Sequence, residues 1–147
     1  GADRGLDSGR ALERRGVSPF SPHLLLLVAA GGAAGSVARY AVGVWALRWL
    51  GAGWPWGTFA VNVVGSALIG LIGGTIAAGV PVSAEARALL ITGALGGFTT
   101  FSAFSLDTGA LFERSPALAA GYVAATLAGG LGAFAAAFVL ARRIAAG

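Results

Sequence analysis

Four long apolar runs, at residues 24–47, 57–80, 88–112 and 117–140, hold only two charged side chains between them, Arg39 and Asp107. A helix rises about 1.5 Å per residue, so about 20 apolar residues cross the hydrocarbon of a bilayer. Each run meets that length. The rest of the chain cannot supply a polar coat, because 11% of its residues are charged, against about 25% in a soluble domain. A bilayer is the natural solvent, and the expected fold class is an all-α membrane protein with four transmembrane helices. The first run continues past the small residues of LLLLVAAGGAAG (24–35) to residue 47, which favours a span over a cleaved leader.

The connectors agree with this division. WLGAGWPWG (49–57) sets Trp49, Trp54 and Trp56 where an interfacial aromatic belt is expected. PVSAEAR (81–87) and ERSP (113–116) read as polar turns. Residues 1–22, rich in arginine, glycine and proline, read as a disordered polar tail. The four-helix domain is expected over 23–143, with a short tail over 144–147. Every basic residue is an arginine, and none forms a stripe interleaved with aromatics. Membrane lipid is therefore the expected partner, and nucleic acid is not. Near the spans, Arg10, Arg14, Arg15, Arg87, Arg142 and Arg143 fall on one side, and Arg48 and Arg114 on the other. That bias predicts both termini in the cytoplasm.

Intramembrane polar side chains are costly and mark candidate functional positions. Here they are Arg39, Asn62, Thr92, Thr99, Thr100, Ser102, Asp107, Thr108, Tyr122 and Thr126. No nucleophile triad, paired carboxylate or metal-binding cluster can be assembled from them. There is no cysteine, which excludes thiolate metal sites and disulfides. The single histidine, His23, sits at a span edge and reads as interfacial. The chain is thus not expected to be an enzyme. Movement of a small solute or ion is the better class.

GGFTTFSAF (96–104) interrupts the third run with two glycines and two threonines, which weaken a helix. One reading is a plain helix whose threonines bond back to the preceding turn. The other is a broken helix, tolerated at that depth only where its freed backbone groups face protein, an ion or a water-lined cavity. Phe101 and Phe104, three apart, share one helical face. They either pack or turn their positive ring edges toward an anion. Asn62, in GTFAVNVVGSALIG (57–70), either joins helices or donates to an anion.

In this order GGAAGSVARY (31–40), GTFAVNVVGSALIG (57–70) and GALGGFTTFSAFSLD (93–107), followed by Tyr122 and Thr126, resemble the Fluc/CrcB family of small bacterial fluoride channels. The resemblance covers about residues 24–143. It implies passive, fluoride-selective efflux across the inner membrane, protecting the cell against fluoride. It implies an antiparallel dimer, formed with itself or with an oppositely oriented paralogue, and a third helix broken at its centre. It further implies a fluoride pore lined by Asn62, Phe101, Phe104, Ser102, Tyr122 and Thr126. A structural sodium ion is implied at the dimer centre, on the backbone carbonyls of Gly96 and Thr99. Arg39 and Asp107 are given vestibule or structural roles. The chain departs from the family pattern at Ala67, where phenylalanine is common, and at Ala103, where threonine is usual. It departs also at Asp107, which replaces glutamate, and at Gly130, which lacks a hydroxyl.

Two other readings compete. A small multidrug-type exporter needs a membrane-embedded carboxylate in its first helix, and this first run has arginine and no acid. A non-transporting membrane assembly subunit accounts for the glycines but not for the ordered set Asn62, Thr99, Thr100 and Ser102.

Overall fold

The computed structural model describes residues 20–147, all helix and connectors. The expected polar tail therefore lies, as far as residue 19, outside the described residues. Four helical stretches are long and apolar enough to cross a membrane, at Pro22–Leu50, Trp56–Ala77, Ala84–Arg114 and Pro116–Ala146.

Local chemistry fixes the ends. Helix α1 (Pro22–Leu50) starts with proline at its first position, where the missing N–H costs nothing. It stops at Gly51, whose φ of 79° lies in the left-handed region that suits glycine. Helix α2 (Trp56–Ala77) follows the Trp54 and Pro55 connector. The third span opens with the short helix α3 (Ala84–Ala86), where Ser83 accepts a hydrogen bond from the Ala86 amide at 3.1 Å. A π-helical stretch (Arg87–Leu95) and one further turn, α4 (Gly96–Phe98), complete its first half. Helix α5 (Phe101–Arg114) forms the second half. Helix α6 (Pro116–Ala146) is capped by Ser115 and again begins with proline. At the carboxyl end α6 stays helical to Ala146, so the short tail expected over 144–147 continues that helix for most of its length. Alanine favours helix, and the long side chains of Arg142 and Arg143 can reach the headgroups from a helix that continues.

Two packing faces organise the bundle. Helix α2 lies along α6, and α1 lies along the π-helical stretch and α4. The second contact is backbone on backbone. A methyl group at Gly31 would overlap the Leu89 carbonyl, one at Gly35 the Ala94 carbonyl, and one at Gly97 the Gly32 carbonyl. Such close approach is how small residues hold helices together where lipid removes the hydrophobic drive between them.

The buried apolar core is small. Phe104, Leu111, Ala119 and Tyr122 form it, with Trp54, Phe59 and Val123 packed against them. Many large apolar side chains remain exposed, among them Val37, Trp45, Leu106, Leu131 and Ile144. In water such a surface would aggregate. In lipid it is the solvated surface.

Candidate functional site: a groove at the interrupted third span

The regular backbone of the third span gives way at two residues. Thr99 (φ −81°, ψ 157°) and Thr100 (φ −154°, ψ 116°) are extended, with α4 ending before them and α5 beginning after. Three local interactions hold this conformation. Thr99 Oγ1 donates to the Leu95 carbonyl at 2.9 Å, so it does bond back to the preceding turn. Thr100 Oγ1 accepts from the Ala103 amide at 3.1 Å and so caps α5. The Thr100 backbone itself is paired with a side chain from α2. Asn62 Nδ2 donates to the Thr100 carbonyl at 3.0 Å, and Asn62 Oδ1 accepts from the Thr100 amide at 2.8 Å.

That pairing has a consequence for the turn before it. In a continuous α-helix the Thr100 amide would donate to the Gly96 carbonyl. Here the amide is directed to Asn62 instead, which releases the Gly96 carbonyl from that bond. Asn62 spends one of its two amide hydrogens on Thr100 and keeps the second.

Beside the extended pair lies a groove of about 510 Å³. Asn62, Gly96, Thr99, Phe101, Phe104 and Thr126 all line it, together with Gly65, Ser66, Thr100, Gly130 and Phe134. No ionisable side chain lines it among the described residues. The rings of Phe101 and Phe104 stand 5.6 Å apart, centroid to centroid, at 47°. Phe104 continues to Tyr122 at 5.3 Å, and Tyr122 meets Trp54 edge to face at 5.1 Å. The two phenylalanines share a face but not an environment: Phe101 is 76% exposed and Phe104 9%.

The other expected site residues are placed differently. Tyr122 is fully buried behind Phe104, outside the groove lining. Ser102 is exposed and also outside it, with its hydroxyl 3.2 Å from Thr100 Oγ1. Asp107 lines a second cavity of about 320 Å³, with Trp54, Trp56, Thr58 and Arg114. The Arg114 guanidinium there donates to the Gly53 carbonyl at 3.2 Å. Arg39, half-buried on α1, lines neither cavity. Tyr122 Oη, Thr126 Oγ1 and Asp107 Oδ2 are buried without a protein hydrogen-bond partner among the described residues. Buried polar atoms normally find one, and these three find none within the described residues.

Thr100 stands among the intramembrane polar candidates of the sequence, but the family resemblance gives it no part in the pore lining. A threonine directly before a helical segment is the N-cap signal that points to it, weakened here because Ala103 stands where a capping box has Glu or Gln. In the sequence Gly65 reads only as a small residue suited to tight helix packing, and its place at the groove, like those of Ser66 and Phe134, follows from the docking of α2 on α6.

Replacing Asn62 by leucine removes the partners of the N–H and the C=O of buried Thr100. Asn62→Leu is expected to lower stability by about 1–3 kcal/mol. Thermal unfolding in detergent measures it, and an unchanged midpoint would show that the pair contributes nothing.

Comparison with known proteins matches the sequence to one family. The sequence model of the family described as CrcB-like protein, Camphor Resistance (CrcB), matches residues 26–138. A fluoride-specific ion channel FluC of Rhizobium johnstonii is 61% identical over 103 residues, covering 69% of this chain and 82% of the relative. FluC of Agrobacterium fabrum is 52% identical over 121 residues, 82% of this chain and 97% of the relative. FluC of Caulobacter vibrioides is 50% identical over 122 residues, 82% and 96%. The family match runs from within α1 to within α6 and takes in every groove residue, and on that ground the chain belongs to the CrcB family.

Proposed function

We propose that this chain is a fluoride-selective channel that gives passive fluoride efflux across the bacterial inner membrane. The observation that carries the reading is the groove itself. It is uncharged, edged by the rings of Phe101 and Phe104, and supplied with donors from Asn62 and Thr126. Relatives 50% and more identical bear the name fluoride-specific ion channel.

Fluoride is small and holds its water tightly, so a pore must replace that water with donors. Asn62 offers its second amide hydrogen, and Thr126 a hydroxyl without a protein acceptor. The edges of Phe101 and Phe104 offer a weaker positive potential. Tyr122, behind Phe104, and Ser102, beside Thr100, extend the polar track in this proposal. None of these carries a fixed positive charge, which suits an ion that must leave as readily as it enters. A lining without carboxylates also offers nothing to couple ion movement to protons, unlike a multidrug-type exporter.

The groove is open on the side where Phe101 is exposed, and an antiparallel second chain would close it. That partner is either another copy or an oppositely oriented paralogue. Reporters fused to the carboxyl terminus distinguish them. Signal from both sides of the membrane is expected of a homodimer, and signal from one side of a paralogue pair.

A sodium ion belongs to the same proposal. The carbonyl of Gly96, released from Thr100, and that of extended Thr99 fit a hard cation, which takes oxygen ligands. Such an ion would supply positive charge that satisfies those oxygens at the dimer centre, a structural role. Exchanging sodium for a bulky organic cation is expected to lower the melting temperature of the purified channel. An unchanged temperature would remove sodium from the account.

Liposomes loaded with fluoride or chloride test the function. Fluoride efflux with chloride retained is expected, and equal efflux of both would overturn the reading. Phe101→Ile and Phe104→Ile keep the volume and lose the ring edge. Each is expected to cut fluoride efflux about tenfold or more while the protein remains folded, about one aromatic–anion contact in free energy. Unaltered flux in both would make the rings packing residues.

A further inference from the structure

Asn62 is not the only residue of α2 that meets the extended pair. One turn along the same face, Gly65 lies against the side chain of Thr99. A methyl group at Gly65 would overlap Thr99 Cγ2. Its next neighbours, Phe98 Cδ1 at 3.5 Å and Thr99 Cβ at 3.7 Å, are at ordinary contact distance. A single methyl group therefore decides whether a side chain fits at this position.

That methyl group has nowhere else to turn. The Thr99 hydroxyl donates to the Leu95 carbonyl at 2.9 Å, which fixes the rotamer that points Cγ2 at Gly65. A β-branched residue is stiff about this bond to begin with. Rotation would break the hydrogen bond, and translation would pull on Thr100, whose amide and carbonyl are both held by Asn62. Asn62 and Gly65 thus grip consecutive residues of one extended segment, one through its backbone and the other through its side chain. Both α2 residues also line the groove, as do Thr99 and Thr100.

We propose that Gly65 is a positioning residue for conduction: its missing side chain is the socket for the Thr99 methyl group, and this fit sets where the extended pair stands relative to the groove. The inference rests on the proposed function for its flux readout, and on geometry alone for the second readout below.

The test is a size exchange. Gly65→Ala fills the socket and is expected to cut fluoride efflux per folded channel about tenfold or more, the usual scale of overpacking. Thr99→Ser removes Cγ2 and keeps the hydroxyl and the backbone. The double variant Gly65→Ala with Thr99→Ser should return to within about threefold of Thr99→Ser alone, a residual below one strong coupling energy. Thr99→Val keeps the methyl group and discards the hydroxyl, so Gly65→Ala with Thr99→Val should stay impaired. If Gly65→Ala alone does not fold, the yields of the two double variants make the same comparison.

Hydrogen exchange at the Thr100 amide is the independent readout. It should be faster in Gly65→Ala than in the wild type, and slow again in the double variant with serine. Wild-type flux from Gly65→Ala, or equal rescue by serine and valine, overturns the proposal. A wild-type chain that moves no fluoride overturns the functional reading instead, and the exchange rates then decide the fit of Gly65 and Thr99.

Discussion

The site depends on one side chain pairing with the backbone N–H and C=O of one residue. Thr100 leaves the helix, and in a bilayer its N–H and C=O have no water to turn to. Asn62 meets both, at 2.8 and 3.0 Å. An amide is suited to this because it carries a donor and an acceptor side by side, as a neighbouring backbone would. The interruption is therefore satisfied within the chain, and the Gly96 carbonyl is released as a result. Thr100 then caps the helix that follows. A change of direction, a freed carbonyl and a fresh helix start all arise within five residues.

The rest of the bundle holds that segment still. On one flank, α1 meets the first half of the third span with glycine against carbonyl at Gly31 and Gly35, so no side chain intervenes to flex. On the other, α2 lies along α6 and carries Asn62 and Gly65 to the interruption. Phe104 and Tyr122 fill the space behind the groove, and Phe101 stands at its open edge. The hydrophobic surface that remains faces outward, where lipid is its solvent. Rigidity comes from close approach and hydrogen bonding, since apolar burial drives little association within a membrane.

The four spans were legible because length and apolarity are properties of composition, which the bilayer enforces. Span ends shifted by a few residues, and α6 ran on to Ala146, because arginine at a helix end need not end the helix. At the interruption, glycines and threonines signalled weakness but left two readings open. Thr99 does bond back to Leu95, yet Thr99 and Thr100 are both extended, so a side-chain back-bond and regular helix do not go together here. The partner of Thr100 was not legible, because it lies 38 residues away in sequence and depends on how α2 docks. The same limit applies to Gly65, whose role as a socket is visible only once Thr99 is placed against it. Of the two roles open to Asn62 in the sequence, helix joining or donation to an anion, the structure shows the first, because the amide ties α2 to the backbone of Thr100.

Selective conduction of fluoride as an ion, without protons or chloride, is what the proposed pore must perform. Planar-bilayer recording with a fluoride gradient, an opposing chloride gradient and a pH difference separates these directly. The predicted result is a current that reverses at the fluoride equilibrium potential, whatever the chloride or proton gradient. A reversal that follows chloride or pH would contradict it.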